Sequence, residues 1–272
     1  MSKELIVLIS EGAKTEKEIL ESIEKVFYKK YDSNKEFIFL SFKTHIYTLY
    51  NVLKADDFLT NTIEILRERH EDAKELLEGL EVEDISAVYL FFDYDGHACQ
   101  TADRDARIKE MIETFDNETE LGKMYISYPM VEAIKDLKHN DCCTRRCTFP
   151  IAQGSDYKNQ VAQITTFNNF DHYNEKKWNY IAEMNICKAS CLSEGTYQFP
   201  KYEDVISIID QANVFESQKK KYIDVNNEVA VLSSFPLFIV EYYGEKVYDD
   251  FLKSHETRSI EFDNLCCNRK ED

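Results

Sequence analysis

Glycine and proline are scarce, seven and four residues in a chain of 272. Flexible and polyproline linkers need them in quantity, so long unstructured connections are not expected. Long apolar runs are missing too. None approaches the ~18 residues of a membrane-crossing helix. Met1-Ser2-Lys3-Glu4 does not open the long apolar region and small-residue cleavage site of a signal peptide. The expectation is a chain without membrane association, in a cytoplasmic setting where its eight cysteines stay reduced. Positive charge is in deficit, 33 Lys and Arg against 51 Asp and Glu, net −18. That argues against a nonspecific nucleic-acid coat, which needs a broadly basic surface. A G-x-x-x-x-G-K-[ST] phosphate loop, an internal repeat and a low-complexity segment are all absent from the sequence.

What is there reads as an ordinary globular composition, 43% hydrophobic and 31% charged, with length for one or two domains. The stretch Ile85–His97, I-S-A-V-Y-L-F-F-D-Y-D-G-H, organises the rest. Its eight mostly apolar residues lack helical spacing and favour a pleated, buried surface. A short apolar run closed by turn residues predicts a buried strand of a parallel sheet. Asp93 and Asp95 follow at once, and Gly96 permits a tight turn. Ligands of open α/β sheets bind outside the carboxyl ends of the strands. Residues two apart on an extended backbone point the same way, so two carboxylates converge there. A divalent cation relieves that repulsion, and all-oxygen ligands suit a hard ion such as Mg²⁺. A solvated turn is the plain alternative.

Leu5–Ile9 is a second uninterrupted apolar run, ending in Ser10-Glu11-Gly12. Thr15-Glu16-Lys17-Glu18 fits a capping box, and Ile19, Leu20, Ile23, Val26 and Phe27 follow at helical spacing. Glu11 therefore stands at a strand end, where an unpaired carboxylate is costly. A metal, a substrate proton or a salt bridge would each account for it. Phe37–Phe42 predicts a third strand. Thr44 is placed to cap a helix with Ile46, Leu49, Tyr50 and Leu53 on one face, and a charged helical region covers about Phe58–Leu80. The order β-α-β-α-β points to a doubly wound parallel sheet with right-handed crossovers. A helix near Arg104–Asn117, a strand over Lys123–Ser127 and a helix opened by Pro129 complete this half. Glu132 falls in the first turn of that last helix and supplies a third acidic site.

Together, I-S-E-G at Glu11 and Gly12, F-F-D-Y-D-G-H at Asp93 and Asp95, and S-Y-P-M-V-E from Ser127 to Glu132 resemble the toprim domain. That domain occurs in topoisomerases, primases and stand-alone nucleases. The S-x-P-x-x-E element looks like that of RloB-like and OLD-like toprim proteins, and the likeness covers about residues 1–137. Nothing here resembles the large partner domains of topoisomerases and primases, so the stand-alone nuclease branch is the nearer resemblance. It implies a compact Rossmann-like α/β sheet and metal-dependent phosphodiester chemistry. Glu11 would be general acid/base or metal ligand, Asp93 and Asp95 would hold Mg²⁺ or Mn²⁺, and Glu132 would complete a second site. His97 and Lys14 would touch substrate phosphate. Such proteins are often encoded beside an ABC-type ATPase in anti-phage or abortive-infection systems, so the resemblance also implies a toxic effector and a separate ATPase partner. The substrate would be RNA, tRNA included, or DNA. A noncatalytic regulatory subunit, a primase-like nucleotidyl transferase and a homodimer stay open.

Residues 138–272 are expected to form a mainly helical extension packed on the toprim half. Ile181, Met184, Cys187 and Ala189 share one candidate helix, and Val205, Ile208, Ile209 and Ala212 another. Charge is uneven: net −13 over residues 1–134, +2 over 135–188 and −7 over 189–272. The middle segment carries Arg145, Arg146, Lys176, Lys177 and Trp178, so it is where a polyanion meets least repulsion, with Arg145 and Arg146 as phosphate contacts and the aromatic residues as platforms for stacking bases; an ordinary helical surface is the plain alternative. Cys142, Cys143, Cys147, Cys187 and Cys191 could supply thiolates to zinc. Inert reduced thiols are the default.

Overall fold

The computed structural model describes residues 3–32, 34–43, 45–94, 103–137, 147–165, 167 and 169–267, with the backbone alone at 155, 164 and 259–267. The apolar runs form a five-stranded sheet ordered β2-β1-β3-β5-β4. Its parallel members are β1 (Glu4–Ser10), β2 (Lys35–Ser41), β3 (Ile85–Asp93) and β5 (Gly122–Ser127). The two-residue β4 (Asp116–Asn117) runs antiparallel beside β5. The central strands β1 and β3 are covered on both faces, which explains their unbroken apolar sequence. From β1 the chain turns outward to β2, then crosses back to β3 and on to β5. Its direction of winding therefore reverses between β1 and β3, the point at whose carboxyl ends open α/β sheets bind their ligands.

The helices follow the apolar spacing with local departures. Thr15–Ile23 continues through a π-helical turn, Glu24–Tyr28, and buries Ile19, Leu20, Ile23 and Phe27. Ile46–Ala55 buries Ile46, Leu49, Tyr50 and Leu53. The charged region expected over Phe58–Leu80 is two helices, Thr62–Arg69 and Glu71–Leu76, split at His70, whose backbone is extended. Asn61 and Glu64 form a reciprocal capping box at the start of the first. Arg104–Thr114 buries Ile108, Met111 and Ile112. The helix expected after Pro129 is instead a 3₁₀ turn of five residues, Val131–Lys135, following a cis Tyr128–Pro129 bond.

Beyond residue 138, long helices predominate. Glu175–Glu194 is the candidate helix of Ile181, Met184 and Cys187. The other candidate divides at Asp210 into Tyr202–Ile209 and Gln211–Gln218, which leaves Ala212 exposed rather than on the apolar face. A small antiparallel ribbon of β6 (Thr148–Pro150) and β7 (Glu228–Ala230) was not expected. Pro236 does not break the apolar stretch after it. It lies in the first turn of the helix Ser234–Tyr243, where no intrahelical N–H is lost. That helix lies on the sheet: Phe235 stacks on Phe91 at 4.9 Å, and Phe238 meets Tyr89, Phe91 and Tyr125 edge-on. Lys123 and Tyr125 bind Glu241 at its far end, the tyrosine hydroxyl donating at 2.8 Å. The apolar core is thus continuous across residue 137. Among the described residues no helix is long and apolar enough to cross a membrane.

Trp178 is wholly buried, so it is not a platform for stacking bases as the sequence suggested. Its Nε1 donates to Ser22 Oγ at 3.0 Å, and its ring meets Phe27 and Tyr173 edge-on. It pins the helical half to the helix after β1. Trp178→Ala should cost about 3–5 kcal/mol, the range for emptying a large aromatic site, read as a loss of denaturation midpoint by circular dichroism.

Cys187 is buried on the same helix, and burial, with Glu183 nearby, pushes its thiol up to about 12. A thiol held neutral is a poor nucleophile and a poor zinc ligand. Native protein at pH 8 should leave Cys187 unmodified by iodoacetamide, with labelling appearing only on unfolding. Cys142 and Cys143 lie outside the described residues.

Candidate active site at the strand ends

Glu11 is fixed by its backbone before its side chain matters. Its N–H donates to Phe91 O of β3 at 3.1 Å, and its carbonyl accepts from Lys43 N–H at 3.0 Å, just past β2. The peptide thus bridges the ends of three strands. The side chain, largely covered, meets His45 Nδ1 through Oε1 at 3.0 Å, and Oε2 accepts from Asp93 N–H at 3.5 Å.

Asp93 closes β3, opposite Ser127 of β5. The residue keeps some surface, but its carboxyl is withdrawn from water and held well above the usual carboxylate range. Desolvation is the main cause, followed by the negative charges of Glu11, Glu16 and Glu132; a hydrogen bond from Val131 N–H opposes them. Glu132 is buried in the turn after Pro129 and pairs with Lys158 Nζ at 3.3 Å.

Glu16 joins this group, although the sequence placed it only in a helix cap. The expected capping box does not form: Lys14 occupies the cap position with no side-chain bond, and Thr15 is already helical. Glu16 is buried and accepts from Gly12 N–H at 2.9 Å. Burial raises its pKa first. Its own and Gly12's backbone N–H bonds lower it, Glu132 raises it, and Lys158 lowers it. A Cβ on Gly12 would lie 2.5 Å from Glu16 Oε2, so only glycine lets that carboxyl approach.

The structure therefore gathers Glu11, Asp93 and Glu132, as the sequence suggested, and adds Glu16, His45 and Lys158. His45 follows β2, so the rule that sites gather at strand ends could have found it. Nothing in the sequence marks Lys158, 26 positions past Glu132. Lys14 is exposed at its helix start. Asp95, His97, Arg145 and Arg146 lie outside the described residues. Among the described residues, no three or more His, Cys, Asp or Glu side chains are already closed round one point as metal ligands. The donor chemistry nevertheless fits a hard cation: all-oxygen, acidic, and with Asp93 facing three other carboxylates.

Comparison with family models, curated proteins and solved structures returned no match. The chain stands as an α/β protein with a mainly parallel sheet, of Rossmann-like layout, and its acidic cluster lies at the carboxyl ends of β1 and β3.

If like charges strain this site, neutralising one should relieve it. Asp93→Asn should raise metal-free stability by about 1–4 kcal/mol, the scale of a close like-charge contact. Thermal and urea midpoints in EDTA check this. A lower midpoint would mean that the aspartate is paired for stability.

Proposed function

We propose that this chain is a metal-dependent nuclease of the toprim type, of the RloB-like or OLD-like branch. One observation carries the reading: four carboxylates from three chain segments converge at the carboxyl ends of β1 and β3, and Asp93 is held well above its ordinary range by burial and by the other three. Folding has no use for such a cluster, since each buried like charge lowers stability. Binding and catalysis do have a use for it.

Glu11, Asp93 and Asp95 would hold Mg²⁺ or Mn²⁺, with Glu132 completing a second site. A divalent cation there would supply charge neutralisation at a scissile phosphate and a lower pKa for an attacking water. Glu11, whose Oε1 lies 3.0 Å from His45 Nδ1, would take the proton of that water, the histidine orienting the carboxylate. Glu16, tied to Gly12 N–H, is the fourth carboxyl group of the cluster. Lys14, at the exposed start of the helix after Gly12, would be a phosphate contact, with His97, Arg145 and Arg146, outside the described residues, as the further contacts expected.

The substrate class within this reading is RNA, tRNA included, or DNA. The biological role that goes with it is a toxic anti-phage effector held in check by a separate ATPase subunit, since the sequence has no phosphate loop of its own. A second reading, a noncatalytic scaffold, draws on the partners that two of the acids already have, His45 for Glu11 and Lys158 for Glu132.

Purified protein with labelled tRNA, single-stranded DNA and plasmid, in Mg²⁺ or Mn²⁺, separates the readings. Cleavage is expected, and Glu11→Gln should abolish it at unchanged thermal midpoint. Wild-type turnover by that variant removes Glu11 from the mechanism. Silence on every substrate, with tight binding of a partner protein, favours the scaffold.

A further inference from the structure

Lys158 belongs to the helix Gly154–Ile164, outside the sheet half, yet its ammonium lies 3.3 Å from the buried carboxylate of Glu132. Its side chain is 69% exposed and that of Glu132 6%. As a stability element such a pair is weak, because a solvated lysine gains little and loses rotamer freedom. Its position says more than its strength. Glu16 and Glu132 are both buried and close enough to raise one another's cost of ionisation, and Lys158 is the cation that acts on Glu16. The same ammonium bears on Lys135, a half-buried cation of the same turn whose Nζ lies 4.7 Å from the centre of the Phe170 ring.

We propose that Lys158 is a resident counter-ion of the acidic site: it occupies the Glu132 side of the site in the metal-free protein, is displaced when a divalent cation enters, and then takes a nonbridging oxygen of the substrate phosphate. This inference rests on the nuclease reading and deepens it. A monocation and a divalent cation cannot share the Glu132 carboxylate at 3–4 Å without strong repulsion. One of them moves, and the lysine can, because its stem is flexible and mostly in water. Substrate and metal then help one another, since the phosphate offers the displaced ammonium a new anion. Lys135 is the less mobile of the two cations, its ammonium being partly withdrawn from water.

The test needs no catalysis. Mn²⁺ binding is measured by calorimetry on wild type, Lys158→Met and Lys158→Arg. Binding of a short labelled RNA or DNA oligonucleotide is measured in Ca²⁺, a substitute ion chosen to bind without supporting turnover. The exposure of Lys158 makes folding of the variants straightforward, and matched thermal midpoints verify it. Lys158→Met should bind Mn²⁺ roughly fivefold to tenfold more tightly, since a competing unit charge is gone. It should bind the oligonucleotide about fivefold or more weakly, with a shallower salt dependence. Lys158→Arg should restore oligonucleotide binding. The opposed signs are the signature, because a purely structural ion pair moves neither affinity. Unchanged or weaker Mn²⁺ binding by Lys158→Met, beside a wild type that binds Mn²⁺, overturns the counter-ion role alone. A wild type that binds no Mn²⁺ overturns both this inference and the nuclease reading.

Discussion

Repulsion among carboxylates withdrawn from water is the constraint around which this molecule is arranged. Glu11 and Asp93 belong to adjacent strand ends, Glu16 to the helix that follows the first, and Glu132 to the turn beyond β5. Each would be more stable apart. What holds them together is backbone. The Glu11 peptide is hydrogen-bonded to β3 and to the chain beyond β2, Gly12 donates to Glu16, and Val131 N–H meets Asp93. These bonds persist because both central strands are covered on both faces by apolar packing. The energy that opposes the charge cluster is therefore spread over the core rather than supplied at the site.

The helical half takes part in that core instead of hanging from it. Phe235 and Phe238 complete one face of the sheet, Trp178 locks against Ser22, and the bridge between Tyr128 and Leu232 ties the chain next to the site to the segment after β7. One consequence reaches the chemistry. Lys158, from this half, arrives over Glu132, so the far part of the chain tunes the charge of the strand-end site.

A partly compensated site of this kind has a plain electrostatic logic. His45 and Lys158 each meet one carboxylate, while Asp93 remains opposed by three. That leaves uncompensated carboxylates at the site without a collapse into closed ion pairs. A site fully neutralised by its own side chains would have little affinity left for a cation.

The sequence by itself determined the sheet. Uninterrupted apolar runs at Leu5–Ile9 and Ile85–Phe92 have one good solution, burial on both faces, and their order with intervening helices sets a parallel, doubly wound layout. It also marked Glu11 and Asp93, because a carboxylate directly after such a strand is anomalous in place, and Glu132 through the pattern after Pro129. Tertiary structure decided the rest. Glu16 looked like a helix-cap residue, since capping chemistry is local, and only the close approach at Gly12 turned it inward. Trp178 looked available for stacking because a sequence lists neighbours in order, while its burial depends on a helix more than 150 residues earlier. The turn at Val131–Lys135 is 3₁₀ rather than α, and its first N–H, that of Val131, meets Asp93, a contact between separate segments that no local pattern shows. Lys158 is the clearest case: no local pattern places a lysine over a distant glutamate, and only the packing of one half against the other brings the two charges together.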